Sequence, residues 1–383
     1  MKIAIVCYPT HGGSGVVASE LALGLAERGH KIHIVSYAVP FRLRTFDPNV
    51  LIHEVEVSSY PLFKYPPYTL GLATKLAEVA TEHELDVIHA HYAVPHAVSA
   101  FLAKEILGGD SPKTITTLHG TDITLVGTDK SFQRVIRFAI DSSDGVTAVS
   151  EYLRQRTVDE FEPQHPIEVI YNFVNTSRCR RGTEKCVRDH WAPNGEKILM
   201  HASNFRPVKR VSDVVRMFHR VQKKIPAKLL LVGQGPERLF VQQLVKELQL
   251  KEHVHFLGEQ DYLESLLSCA DLFVLPSEQE SFGLVALEAM SCEVPVLGTN
   301  IGGLPEVVEN DQTGFLFPVG EIQQMADAAI DLLSSPEKLQ RFRQSARRVA
   351  VERFDSEKII PEYEHLYEEV LRAEPAVSRQ ASP

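Results

Sequence analysis

Glu280 and Glu288 stand eight positions apart in Ser277-Glu278-Gln279-Glu280-Ser281-Phe282-Gly283-Leu284-Val285-Ala286-Leu287-Glu288. An apolar run over 272–276 precedes them, and helical periodicity begins near Phe282. Ser281 reads as the N-cap of that helix. The N–H groups of Phe282, Gly283 and Leu284 are then orphan donors, aimed at an anion. Glu288 falls about two turns on, ~12 Å along a helix. That separation suits the two ends of a nucleotide-sugar. One carboxylate can hold sugar hydroxyls, and the other can accept both hydroxyls of a ribose. Two surface glutamates on an amphipathic helix are the competing reading. The Gly302-Gly303-Leu304-Pro305-Glu306 turn at the next strand end weighs against it.

Three cations cluster past another strand end, in Ser203-Asn204-Phe205-Arg206-Pro207-Val208-Lys209-Arg210. A solvated basic loop is the plain alternative. A diphosphate, however, needs Lys or Arg where no metal is held, and no acidic metal cluster is evident in the sequence. The first strand ends in Pro9-Thr10-His11-Gly12-Gly13-Ser14-Gly15, and Gly13 to Ala18 fits G-x-G-x-x-A. A dinucleotide site also wants an acid at the end of the second strand. Val35-Ser36-Tyr37 offers none, and no Arg stands there for a 2′-phosphate. An NAD-dependent oxidoreductase is therefore the weaker alternative. The glycines still let a helix N-terminus approach an anion closely.

Two histidine motifs close further strands. In His89-Ala90-His91 alternation puts both imidazoles on one face, but no third ligand follows in sequence, and no metal is expected. Tyr92 comes next and would reach into a cleft. In Leu118-His119-Gly120-Thr121-Asp122 the Gly and Asp suggest a shaped turn, and His119 is either functional or a satisfied polar group.

These motifs need a scaffold that gathers strand ends. Strands are expected over 3–8, 32–37, 87–90, 114–118 and 145–149, with helices over 16–28, 70–82 and 131–141. The alternation restarts at 197–201 and runs through strands at 228–232, 253–257, 272–276, 294–297 and 313–317. Helices fall between them and beyond, to 336–351. The expected class is α/β, as two doubly wound Rossmann-like domains facing one cleft. The expected boundaries are 1–170 for an acceptor-binding domain and 171–355 for a nucleotide-sugar domain. A last helix over 356–373 would pack back on the first, with a disordered tail over 374–383.

Composition agrees with an ordinary globular protein. The chain has 383 residues, 44% of them apolar and 23% charged, with 40 Lys+Arg against 50 Asp+Glu and a net charge of −10. Net acidity argues against a nucleic-acid binder, yet leaves room for one basic pocket. No stretch approaches the ~20 apolar residues that span a bilayer, and the N-terminal apolar run is too short for a signal peptide. The five scattered cysteines read as reduced thiols, which points to the cytoplasm. No motif demands an oligomer, and a homodimer stays open.

The E-x7-E motif from Glu280 to Glu288, the Gly-rich first turn and the Arg206/Lys209 loop form one set. With Val232-Gly233-Gln234-Gly235-Pro236-Glu237 and the Gly302-Gly303 turn, they resemble the retaining glycosyltransferases of family 4, which have the GT-B fold. The resemblance runs from residue 1 to about 370. Further strings narrow it to members that act on malate in bacillithiol biosynthesis. They are Pro40-Phe41-Arg42-Leu43, Tyr65-Pro66-Pro67-Tyr68, His89 to His96, Thr116 to Thr124, Tyr171-Asn172-Phe173 and Ser203 to Arg206.

The resemblance implies a metal-independent transfer of GlcNAc from UDP-GlcNAc to L-malate, or to another acceptor, with retention at the anomeric carbon. It implies Glu288 on the ribose and Glu280 on the donor sugar. Arg206 and Lys209 would meet the diphosphate, helped by Gly13, Gly15 and the helix start at Phe282, Gly283 and Leu284. The backbone near Leu257 would meet uracil, and His119 would sit beside the sugar. Malate is a small dianion and needs cations and hydroxyl donors. Ser14, Tyr92, Thr117 and Arg137 are the candidates, with Arg42, Arg44 and Arg134 as rivals to Arg137. Two departures from the family stand out. Glu293 occupies a position that is often Gly, so a different helix cap is expected. Asn172-Phe173-Val174-Asn175 replaces Asn-Gly-Val-Asp at the junction.

Overall fold

The continuous apolar runs become parallel strands, buried because helices cover both sheet faces. A computed structural model describes residues 1–10, 12–57, 64–109, 111–126, 129–182 and 188–373. His11, Cys186 and the expected tail over 374–383 lie outside the described residues.

The first sheet has seven strands: β1 (Lys2–Val6), β2 (Lys31–Ser36), β3 (Val50–Glu54), β4 (Val87–His91), β5 (Lys113–Leu118), β6 (Gly145–Ala148) and β7 (Glu168–Val169). Their order is β3-β2-β1-β4-β5-β6-β7. The second has six: β8 (Lys197–Ala202), β9 (Ala227–Val232), β10 (Val254–Gly258), β11 (Leu272–Leu275), β12 (Val296–Thr299) and β13 (Gly314–Phe317). Their order is β10-β9-β8-β11-β12-β13. Every strand pairing is parallel. The strand order reverses between β1 and β4 in one sheet, and between β8 and β11 in the other. Such switch points are where open α/β sheets bind ligands. The expected α/β class with two Rossmann-like sheets therefore holds.

The chain crosses between the sheets twice, and the crossings lie side by side. Val174 N–H donates to Phe354 C=O at 3.0 Å, and Ser356 N–H donates to Val174 C=O at 3.0 Å. The Ser356–Arg372 helix then returns to the first sheet. Its Ile359, Ile360, Tyr363, Leu366 and Tyr367 share a buried cluster with Ile3, Ile5, Leu21 and Leu25. Gly24 makes room for it, since a Cβ there would lie 2.1 Å from Ile360 Cδ1.

Three readings of the sequence need correction. The cleft helix runs Leu284–Ser291, so its N-cap is Gly283 and not Ser281. Gly283 has φ +94°, the left-handed region that suits glycine. The helix ends as it would with a glycine, despite Glu293. That residue takes φ +61°, with Glu293 N–H on Met290 C=O at 3.0 Å and Val294 N–H on Ala289 C=O at 2.9 Å. The family cap geometry is thus kept at the cost of a left-handed non-glycine residue. The uniform thiol reading is corrected at Cys269, which is disulfide-bonded; Cys7, Cys179 and Cys292 are free and buried.

Candidate active site

The two switch points face one another across a cleft of about 570 Å³. One wall carries Thr10, Gly12, Gly13 and Val16, from the end of β1 and the helix Gly13–Glu27. The other carries Ser203 and Asn204 after β8, Gly233 and Gln234 after β9, and Glu280 and Leu284 after β11. Gly13, Lys209, Glu280, Leu284 and Glu288, each expected from the sequence, line it together.

Lys209 ends the short turn Pro207–Lys209 that follows β8. Its Nζ donates to Glu280 Oε1 at 2.6 Å, and Ser277 Oγ donates to the same oxygen at 2.8 Å. The Gly302-Gly303 turn braces this loop. A Cβ on Gly302 would sit 1.9 Å from Glu280 C=O, and Gly303 N–H donates to that carbonyl at 2.9 Å. Leu284 and Val285 open the helix, where backbone N–H groups lack intrahelical partners, and both residues line the cleft with Glu280. Phe282 is instead buried, its ring 5.6 Å from that of Phe354. Arg206 is exposed, and its positive charge acts across the cleft on the Tyr92 phenol.

Glu288 lies one turn inside the helix and sits in a network that sequence spacing could not show. Arg42, from the short turn Phe41–Leu43, reaches Glu20 at 3.2 Å, Glu264 at 3.4 Å and Glu288 at 3.5 Å. Arg178 joins Glu20 at 2.8 Å and Glu264 at 3.3 Å. Burial raises the Glu288 carboxyl to about 7; Arg42 pulls it down, while Glu264 and Glu20 push it up. Arg42, a rival for the acceptor, is thus committed to carboxylates from both halves of the molecule.

On the opposite wall Tyr92 follows β4 with φ +93°, a left-handed backbone at a bulky residue. It hydrogen-bonds Ser14 and Thr121, and burial raises its phenol. Its ring lies 5.3 Å from His119. His119 Nε2 pairs with His91 Nδ1 at 2.8 Å. Burial, together with charge repulsion from His89 and His96, pushes His119 down to about 3, so the ring is neutral. Asp122 ties the turn together, accepting from Gly120 N–H at 2.9 Å and Ala93 N–H at 3.1 Å. The sequence marked Asp122 only as a turn residue, and burial lifts it to about 6.

Other expected residues sit elsewhere. Gly15 lets the first helix close against the loop that follows β1, because a Cβ there would lie 2.5 Å from Thr10 C=O and 2.8 Å from Tyr8 C=O. Thr117 is fully buried in the sheet, its hydroxyl held by His89 Nε2 and Thr147 Oγ1, both at 2.7 Å. Arg137 lies on the Lys130–Asp141 helix and pairs with Asp141 at 3.5 Å. Arg134 is exposed on the same helix, and Arg44 meets Asp261 at 3.5 Å. Leu257 C=O accepts from Gln260 Nε2 at 2.9 Å, next to the Gly258 C=O that receives Gly233 N–H at 2.7 Å. The end of β2 is Ser36, whose Oγ donates to Cys7 C=O at 2.9 Å; no ribose acid stands there.

Comparison with known proteins gives this geometry its setting. Residues 11–178 match the family model described as Glycosyltransferase Family 4, and residues 183–349 match Glycosyl transferases group 1. The chain is 49% identical over 373 residues to the N-acetyl-alpha-D-glucosaminyl L-malate synthase of Bacillus anthracis, covering 97% of this chain and 98% of that one. It is 28% identical over 360 residues to the D-inositol 3-phosphate glycosyltransferase of Mycobacterium tuberculosis, covering 84% and 71%. Among solved structures, a glycosyltransferase from Rickettsia africae superposes with TM-score 0.81 at 22% identity, over 97% of this chain and 99% of that one. Anabaena HepE in complex with UDP and glucose superposes with TM-score 0.80 at 22% identity, over 96% and 99%. Two family models that together span nearly the whole chain, and a near full-length relative at 49% identity, meet a two-sheet cleft of the matching fold: the chain is a GT-B glycosyltransferase and belongs to glycosyltransferase family 4.

Proposed function

We propose that this enzyme transfers GlcNAc from UDP-GlcNAc to the hydroxyl of L-malate, with retention at the anomeric carbon, as a first step of bacillithiol biosynthesis. The observation that carries the reading is the 49% identity, over 97% of the chain, to a malate-glycosylating relative. In this reading Lys209 and Arg206 balance the diphosphate, helped by the N–H groups at Gly13 and at Leu284. These donors supply the charge balance without a metal. Glu288 accepts the ribose hydroxyls, Glu280 holds the sugar, and the backbone at Leu257 meets uracil. Tyr92 and Ser14 form the acceptor side; buried Thr117 is left out, and so is Arg137, which pairs with Asp141 on its own helix.

Catalysis then rests on orientation and charge. The malate hydroxyl oxygen bonds to the anomeric carbon on the face from which UDP departs. The bond to the diphosphate oxygen breaks, its electron pair stays on UDP, and the hydroxyl proton passes to that oxygen. Neutral His119 donates or accepts a hydrogen bond beside the sugar. No carboxylate is assigned as a covalent nucleophile. Among the described residues no helix is long and apolar enough to cross a membrane.

The test is UDP release from UDP-GlcNAc with malate, inositol phosphate or simple sugars as acceptors. Malate-dependent release is expected. Release that depends on another acceptor would replace malate and leave the family assignment standing.

A further inference from the structure

Outside the cleft, three histidines from three separate elements meet on one face of the first sheet. His33 lies on β2, His53 on β3, and His83 ends the Tyr68–His83 helix. The parallel register pairs His33 with Leu51 and Val35 with His53, which puts His33 and His53 on the same face. One ligand nitrogen from each of the three lies within 4.8 Å of the other two. His33 Nδ1 and His53 Nε2 are 3.0 Å apart. The ring centroids are 5.2 Å apart for His33 and His53, 4.4 Å for His33 and His83, and 5.3 Å for His53 and His83.

His89 and His201, buried elsewhere in the fold, are satisfied by hydroxyls and a carbonyl. His89 has Tyr367 and Thr117, and His201 has Ser203 and the Val274 carbonyl. Here, as between His91 and His119, an imidazole's partner is another imidazole, and a third ring from a separate element lies against both. Burial and mutual repulsion bring His33 down to about 4 and lower His53 as well, so both rings stay neutral with lone pairs to offer. Neutral imidazole is the form that binds a metal. With metal–nitrogen bonds of about 2.0–2.1 Å, tetrahedral ligands sit about 3.3 Å apart. The His33–His53 pair, at 3.0 Å, is close to that spacing, and a His83 nitrogen lies within 4.8 Å of both.

We propose that His33, His53 and His83 bind a borderline divalent cation, with Zn2+ foremost. Three imidazole nitrogens supply the ligands. The fourth position is open to water or to Glu82, whose carboxylate lies 3.9 Å from His83 Nε2. Ligation moves the proton shared by His33 and His53 to an outward ring nitrogen, so the rings remain neutral. The nearby charges are Glu82, which favours a cation, and Lys2 and Lys75, which oppose one. The site staples the edge strands β2 and β3 to the helix that covers them. It stands apart from the transferase cleft, whose lining contains none of the three. Its effect is therefore on stability and not on the chemistry of transfer.

The experiment uses the full chain without a polyhistidine tag, stripped with chelator. Zn2+ is titrated by calorimetry, and Co2+ by its visible spectrum. One equivalent of tight binding is expected, with a rise in melting temperature. His53→Gln and His83→Gln, both half-buried and safe for folding, should each weaken Zn2+ binding at least tenfold, with UDP-releasing activity unchanged. Absence of saturable binding below about 100 µM metal overturns the proposal, since so weak a site would not hold Zn2+ against its competitors. Equal affinity in wild type and both variants overturns it too, because the metal would then sit elsewhere.

Discussion

Lys209 Nζ lies 2.6 Å from Glu280 Oε1, so the cation proposed for the diphosphate is already held before any nucleotide arrives. Ser277 fixes the carboxylate from the other side. The lysine thus pays little ordering entropy on binding, and its position depends on the residue proposed to hold the sugar. Lys209→Ala should weaken UDP binding about 10–100-fold, the usual worth of a charge-assisted contact. It should also leave Glu280 without its cation and impair sugar placement. Calorimetry with UDP checks the first effect; unchanged affinity would remove Lys209 from the diphosphate site.

Glu288 makes a pH-dependent prediction. Its carboxyl is raised to about 7 by burial, against an ordinary value of 4.5. A raised folded value means the folded state keeps its proton while the unfolded chain has lost it. This group's contribution to stability is therefore full below 4.5 and falls as pH rises from 4.5 towards 7. Binding runs the opposite way, because the carboxylate is the better acceptor for two ribose hydroxyls. UDP-GlcNAc, whose diphosphate diester does not titrate near neutrality, should bind several-fold more tightly at pH 8 than at pH 6. The gain should vanish in Glu288→Gln, measured by calorimetry at both pH values. The same pH gain surviving in that variant would assign the titration to another group.

His119 yields a prediction about an absent titration. Its value near 3 keeps the ring neutral throughout the working range. The pH–rate profile should then show no inflection from this residue between pH 5 and 8. His119→Ala should lower kcat at least tenfold, as expected for a positioned hydrogen-bonding group, with little change in the donor KM. A carbon-detected NMR titration placing His119 above 6 would sink the neutral-ring reading.

The fold was legible because parallel strands covered on both faces read as unbroken apolar runs. The elements that escaped lack that signal. β3 is an edge strand whose Leu51 and Ile52 are more than a third exposed, and β7 has two residues. The Glu151–Phe161 helix buries only Leu153, Thr157 and Phe161, and its clearest mark is local: Ser150 Oγ accepts from Leu153 N–H at 3.1 Å. The charged groups at strand ends were visible for the opposite reason, since Lys209 and Glu280 interrupt apolar patterns. What no local pattern could show is pairing across the cleft. Arg42 meets Glu264 and Glu288 over separations of 222 and 246 residues. Likewise, the family glycine replaced by Glu293 left no sign that the backbone would keep its left-handed turn.

Closure of the cleft offers the last prediction, because the two halves touch at Gly120 and Ser281. Gly120 has φ +110°, and a Cβ there would lie 1.6 Å from Ser281 Oγ and 2.5 Å from Ser281 Cβ. The same seam is held by Ser150 Oγ donating to Ser281 C=O at 2.6 Å, and by the Glu306 carboxylate accepting from Glu151 and Tyr152 N–H at 2.9 and 2.8 Å. Gly120→Ala therefore carries two costs: a left-handed backbone of ~1–2 kcal/mol and an overpacked contact of ~1–3 kcal/mol. Ser281→Gly removes the second but not the first. A double-mutant cycle on urea unfolding should show strong positive coupling, with the double variant recovering the packing share of the loss. Since the contact joins opposite walls of the cleft, Gly120→Ala should also raise the donor KM, and Ser281→Gly should lower it again in the double variant. Strictly additive losses would mean that the walls do not meet at this point in solution.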